Sequence, residues 1–502
     1  MNDAAIKKIA KGAGTSFVGQ VISSGLKYLT QVTLARLLST ELFGLYTLGV
    51  VLYRLGELFS RMGLDIGTVR YVSIYHDARD HQRLKGVLLQ AIGLPFIGGT
   101  IFGIIMFLAS TSIAQEVFNE PNLASIIRVF AIALPFGASM TVGASATTGF
   151  KIAKYQTYIS ELLLPSINLL LAILLCTLGF GLWGAAIAWL IAVIITLAVT
   201  VYLLSRIFPA IVSSNIKQIL DAKELLTFSL PLSFGSFLWL VLIWTDTLIL
   251  GYFQAATEVG VYRAASQTAL LMALLNHSLT KIFIPTIATL YSKGEFEEVG
   301  QLFRVIARWS LSLTLPLFLI VGITSKDILH IFGTEFEMGW LLLIVLSAGQ
   351  LARAGPGGLS KHMLDMSGHQ HLRLYSDFAL AITNIVLNIL LIPKWGLMGA
   401  AVATGISIAG VNLLLVAQVY WVLGLHSYDW NYLKILGVGA AAALGGFTVQ
   451  NWLPSMNYFF SLVITAASVI LMYALLLLGM GLEETDKMIL DKIGKRLGLF
   501  KN

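Results

Sequence analysis

Four ionisable residues, Arg54, Glu57, Arg61 and Asp65, sit within the stretch YRLGELFSRMGLD (53–65) of an otherwise apolar region. At 100° per residue, Arg54, Arg61 and Asp65 fall within about 20° of one helical line, with Glu57 about 60° to one side. A second polar stripe runs through Ser16, Gln20, Ser23, Ser24, Lys27, Thr30 and Gln31 at spacings of three and four. A third carries Arg263, Gln267, His277, Ser278 and Lys281 in the same rhythm. Against the cations Lys27, Arg54, Arg61, Arg263 and Lys281 stand Glu57 and Asp246, so the expected ligand is an anion. Arginine offers a phosphate two parallel N–H bonds, and lysine offers a point charge. Two roles are open for Glu57: an ion pair one turn from Arg54 or Arg61, or a coupling proton. Two are open for Asp246 as well, a gate bridge to Arg263 or an ion-coupling site. Gln20, Gln31 and Gln267 are read as polar lining of the same path.

The elements that carry these stripes must cross a membrane. The 502-residue chain is 57% hydrophobic and only 12% charged, with a mean hydropathy of +0.83. About fourteen apolar segments are long enough, at about 1.5 Å per residue, to span about 30 Å of hydrocarbon. They lie near 13–36, 42–63, 87–109, 123–149, 155–178, 182–205, 228–252, 258–285, 304–324, 340–360, 371–392, 397–423, 434–452 and 457–479. The fold class is therefore an all-α polytopic membrane protein. An ionisable group deep in lipid costs at least about 2.5–3.5 kcal/mol, so the stripes are expected to face a bundle interior or a wet cavity.

Basic residues set the orientation. With the N-terminus inside, outer loops hold only Arg36, Lys326 and Lys394, and both ends are expected to be cytoplasmic in a plasma (inner) membrane protein. The net charge of +7 is this bias and is scattered among loops, which argues against nucleic acid as a partner. The single Cys176 excludes an internal disulfide and a thiolate cluster. His362, His369 and His371 are too loosely spaced for a metal site, and neither GxxxxGK[ST] nor HExxH occurs. With outer loops too short for a catalytic domain, the chain is read as a non-enzyme without cofactors.

The chain also repeats. GLWGAAIA (181–188) returns as GLMGAAVA (396–403), 215 residues on, and Gly44 of FGLY meets Gly260 of VGVY 216 residues on. The expected layout is an N-terminal six-helix bundle (1–208), a cytoplasmic linker helix (209–227), a second six-helix bundle (228–425), two further helices (426–480) and a cytoplasmic amphipathic tail (481–502). An even number of spans separates the copies, so they share one orientation about an axis along the membrane normal. Breaks are expected at RAGPGG (353–358) in span ten and PFG (135–137) in span four, at corresponding places in the two halves. In the tail, Ile489, Ile493, Leu497 and Phe500 line one face among lysines, a pattern suited to anionic membrane lipid. Tyr28, Tyr46, Tyr53, Trp239 and Trp244 are read as interfacial belts or sugar-stacking rings.

TLARLLSTELFGLY (33–46) followed by GLDIGTVRYVS (63–73) resembles the signature of the polysaccharide and oligosaccharide lipid flippases, the O-antigen type. DTLILGYF (246–253), EVGVYRAA (258–265) and LDMSGHQHLRLY (364–375) extend the resemblance over residues 5–425. The superfamily also holds multidrug/toxin extruders and lipid II flippases. The resemblance implies an ATP-independent, alternating-access carrier of a polyprenyl-phosphate or pyrophosphate oligosaccharide toward the outer leaflet, coupled to a proton or sodium gradient, in cell-surface glycan biosynthesis. Ser39 and Thr40 replace the family's frequent Gly-Pro, and YRAASQ (262–267) replaces the Ala-Asp-Arg run of lipid II flippases. A lipid II-type flippase and a multidrug or cation antiporter stand as alternatives.

Overall fold

A computed structural model describes residues 21–211, 216–426, 431–452 and 457–480. Every regular element among the described residues is helical. After α1 (21–37), the principal helices are α2 (Thr40–Arg61), α3 (Leu64–Asp77), α4 (His81–Leu108), α5 (Leu123–Gly149), α6 (Leu164–Leu175) and α7 (Gly181–Ile207). There follow α8 (Ala222–Phe253), α9 (Ala256–Leu271), α10 (Ala273–Ser292), α11 (Phe296–His330), α12 (Trp340–Ala354) and α13 (Pro356–Met366). The last are α14 (Gln370–Leu423), α15 (Asn431–Trp452) and α16 (Tyr458–Gly479). Side-chain caps mark several starts: Ser39 accepts from the Leu42 amide, Asp80 from Arg83, Asp221 from Glu224 and Asn457 from Phe459.

Nine described helices are long and apolar enough to cross a membrane, and the bent pair Ala222–Leu238 and Ile243–Phe253 makes ten. Two of the nine, Lys154–Ile207 and Gln370–Leu423, run to 54 residues, about 81 Å at 1.5 Å per residue and far more than one crossing needs. Each folds back on itself. The first turns at Gly181 (φ 50°, ψ −128°) and the second at Gly396 (φ 52°, ψ −129°). These glycines are the matched residues of the GLWGAAIA and GLMGAAVA copies, so the repeat reappears in backbone dihedrals as well as in letters. Three residues further on, a Cβ at Gly184 would lie 3.0 Å from the Leu175 carbonyl carbon, and one at Gly399 would clash with the Leu391 carbonyl. With each folded helix counted as two crossings the ten become twelve, and α1 and α9–α10 are helical as well.

Only glycine adopts the dihedrals of Gly181 and Gly396 without strain. Gly396→Ala is expected to lower stability by about 1–3 kcal/mol, and Gly181→Ala by a similar amount, read as the thermal midpoint of purified protein. Unchanged midpoints in both variants would contradict a strained turn.

The described residues gather into two compact units, one from Met1–Ala264 with Asn384–Ala400, the other from Ala265–Thr383 with Ala401–Asn502. In the first, Leu64, Val72, Leu84, Leu88, Val142, Ala146 and Leu204 form one buried cluster joining α3, α4, α5 and α7. In the second, Ala307, Leu311 and Leu315 of α11 pack with Tyr432, Ile435, Val438 and Ala442 of α15 and Tyr473 of α16. Polar contacts secure the same three helices: Asp327 Oδ2 accepts from Gln450 Nε2 at 2.9 Å and from Ser461 Oγ at 3.2 Å, and Gln450 Oε1 accepts from Thr465 Oγ1 at 2.6 Å. The two helices beyond the repeat are therefore bound to α11.

Three local expectations change. The polar segment 209–227 does not form a separate linker helix among its described residues, since 222–227 are the first turns of α8. It makes a short turn at Pro209–Ile211, then residues 216–221 run irregularly along the start of α4. There the buried Lys85 Nζ donates to the Ile216 carbonyl at 3.1 Å, and the Ile219 amide donates to the Gln82 carbonyl at 3.2 Å. Backbone groups that a helix would have satisfied internally are taken by α4, and helix begins only at the Asp221 cap. Secondly, α5 runs unbroken through Pro135, whereas span ten does break, at Gly355 between α12 and α13. Thirdly, span two breaks at Met62 and Gly63, both left-handed (φ 50° and 72°), which moves Asp65 onto α3. The tail 481–502, with its amphipathic face, lies outside the described residues.

Candidate functional site

In the first unit the ionisable residues of spans one and two meet acids, and each cation has a defined neighbour. On α2, Arg54 Nη1 pairs with Glu57 Oε2 at 2.9 Å, one turn along the same helix. The other oxygen, Oε1, accepts from Thr141 Oγ1 of α5 at 2.8 Å, so the buried Glu57 is held from two helices. Arg54 also lies over the Trp189 ring of α7 (5.3 Å to the centroid) and near that of Tyr53 (5.8 Å). Across the break at Met62 and Gly63, Arg61 Nη1 reaches Asp65 Oδ2 at 3.3 Å. The single continuous stripe expected over 53–65 is thus two ion pairs on two helices.

Lys27 of α1 pairs with Glu161 at 2.6 Å, and the buried Ser23 hydroxyl donates to the same carboxylate. Glu161 lies in the turn of helix just before α6. Setting Glu57 and Asp246 alone against five cations therefore undercounts the acids of this face. The signal was present, because Glu161 is a carboxylate within the apolar segment 155–178. Trp189 carried no polar periodicity of its own and becomes legible only through its position under Arg54. Tyr46 and Tyr53, read as belt or sugar-stacking rings, are core residues, 2% and 1% exposed, both packed on Phe130.

Further along the same unit, Asp246 of α8 is buried and accepts from Tyr262 Oη at 2.5 Å and from the Thr247 amide at 2.7 Å. The Arg263 guanidinium of α9 lies over the Trp244 ring, 4.0 Å from its centroid. The bonds made by Tyr262 and Thr247 and the ring beneath Arg263 hold both charged groups in place, whichever of the two roles Asp246 takes. Gln31 and Gln267 are half-buried on α1 and α9. Gln20 and the Lys281 side chain lie outside the described residues.

The second unit carries its own charged group. Lys361 of α13 pairs with Asp377 at 3.2 Å, and Arg373 pairs with Asp365 at 2.6 Å. Burial pushes His362 beside them below the usual histidine range, with Asp365 opposing the shift, so it is neutral at neutral pH.

The first-unit face sets Arg54 against Glu57 and Lys27 against Glu161. It presents cations whose charge is already balanced, with an indole under one of them, an arrangement suited to holding an anion reversibly. The family model described as polysaccharide biosynthesis protein matches residues 9–291. The chain belongs to that family. A second model, MatE, matches residues 231–390. A probable low-salt glycan biosynthesis flippase of Haloferax volcanii is 26% identical over 235 residues, 46% of this chain and 48% of that protein, so the match spans about half of that relative. An uncharacterized membrane protein of Methanocaldococcus jannaschii is 21% identical over 86% of this chain and 88% of its own. The fold of this family member resembles the lipid II flippase MurJ in an inward closed conformation, with a TM-score of 0.70 at 17% identity over 91% of this chain and 97% of that one.

Proposed function

We propose that this family member is a flippase that carries an anionic polyprenyl-linked oligosaccharide from the cytoplasmic to the outer leaflet of the plasma membrane, making and breaking no covalent bond. The observation that carries the reading is the polar face of the first unit, where Lys27 and Arg54 are each balanced by an acid and Arg54 lies over an indole. A polyprenyl phosphate or pyrophosphate sugar needs a cationic, wet path for its headgroup, while its tail stays in lipid. Family membership and the glycan-flippase relative support this substrate class over a cationic drug. The bias of basic residues supports cytoplasmic ends, and the 215-residue repeat supports an alternating-access cycle. The carrier is coupled to a proton or sodium gradient, with Asp246 as the ion site or as part of the outer gate.

Proteoliposomes of the purified chain test the reading. Flipping of a fluorescent lipid-linked oligosaccharide, with no uptake of a cationic dye in the same vesicles, is the expected result. Dye transport without lipid flipping would replace it with the antiporter reading.

A further inference from the structure

We propose that Glu161 is an internal stand-in for the substrate's phosphate: it holds Lys27 while the site is empty, gives Lys27 up to an arriving anionic headgroup, and reclaims it to release that headgroup. The inference rests on the flippase reading and assigns a role to a residue of the same face.

Two ion pairs on this face differ in kind. Arg54 and Glu57 are three residues apart on one helix, the Glu57 side chain is 3% exposed, and Thr141 occupies its other oxygen. A ligand taking Arg54 wholly from Glu57 would strand a buried carboxylate, so this pair stays closed. Lys27 and Glu161 join helices far apart in sequence, and their side chains are 51% and 40% exposed. Each of these two is therefore open to a ligand that takes the other's place, whereas Glu57 is not. Ser23 gives Glu161 a partner that does not depend on Lys27, so the displaced carboxylate is not left bare. The charged groups that act on Glu161 from neighbouring helices are Lys27 of α1 and Arg54 of α2.

Exchange of this kind sets affinity by competition. A phosphate must outcompete Glu161 for the ammonium, and a neutral lipid has nothing to exchange. The same competition helps release, because the site regains its neutrality without the ligand.

The test uses the full chain in lipid nanodiscs, with polyprenyl pyrophosphate as the probe and uncharged polyprenol as the control, alongside the flipping measurement. Glu161→Gln should bind polyprenyl pyrophosphate about tenfold tighter, since it removes the competing anion, yet flip lipid-linked oligosaccharide more slowly because release is unassisted. Glu161→Asp, which keeps the competing charge, should restore part of the release lost in Glu161→Gln, and adding Lys27→Gln to Glu161→Gln should erase the gain in affinity. A damaged fold would weaken binding, so tighter binding with slower flipping separates exchange from a structural role. The proposal is overturned if Glu161→Gln binds the pyrophosphate no better than wild type, or if polyprenol shows the same gain. A wild-type protein that binds no polyprenyl pyrophosphate overturns the flippase reading instead.

Discussion

Arg54→Ala is expected to reduce flipping at least about a hundredfold and to destabilise the protein as well, by about 3–5 kcal/mol. The sequence alone suggests a simpler experiment, in which the variant loses a headgroup contact and keeps its fold. The structure changes that expectation, because Glu57 is buried and draws its positive partner from Arg54 at 2.9 Å, with Thr141 as its other bond. Removing the guanidinium leaves a buried carboxylate bonded to one hydroxyl, with Arg61 acting on it only as a weaker, unbonded cation, and that poorly compensated charge is the source of the stability loss. Combining Arg54→Ala with Glu57→Gln removes the stranded charge, so the thermal midpoint should recover while flipping does not. Arg54→Lys should retain part of the activity, since lysine supplies the charge without the two-bonded phosphate geometry or the planar contact with Trp189. A double variant that flips the lipid-linked oligosaccharide at the wild-type rate would take Arg54 out of the substrate path.

The helices were legible because hydrophobic length is a local property: 87–109, 123–149 or 457–479 can be read without knowing a single neighbour. The repeat was legible for a different reason. A turn that needs glycine at positive φ tolerates few sequences, so the GLxGAA pattern survives in both copies and marks Gly181 and Gly396 directly. Pairing across helices was not legible. Lys27 and Glu161 are 134 residues apart, and periodicity says which face each occupies without saying which faces meet. The Arg54 and Glu57 pair could be read because both lie on one helix, one turn apart. Proline misled at 135, where the helix continues, and informed at 356, where Gly355 precedes it and a new helix starts. The segment 216–221 was misread because its polar composition matches a surface helix, whereas its backbone is engaged by α4 through Lys85 and Gln82.

The close approach of α2 and α9 gives the second large expectation. Within the first unit, a Cβ on Gly44 would clash with the Ala256 carbonyl, and one on Gly260 would clash with the Thr40 carbonyl. Thr40 and Ala256 stand 216 residues apart, as do Gly44 and Gly260, so equivalent residues of the two copies meet each other. The contact is self-complementary in the way a two-fold dimer interface is, with i touching j and j touching i. Each clash is with backbone, which cannot rotate aside as a side chain can, so a methyl at either glycine must push the helices apart. Gly44→Ala and Gly260→Ala are each expected to lose about 1–3 kcal/mol, read as a fall in thermal midpoint. The double variant should lose much less than the sum, because helices already separated to admit one methyl have room for its counterpart. Cysteines placed at Thr40 and Ala256 should become more reactive to a water-soluble maleimide in either variant. Fully additive losses would mean two independent clashes, and would remove the idea that the copies share one crossing point.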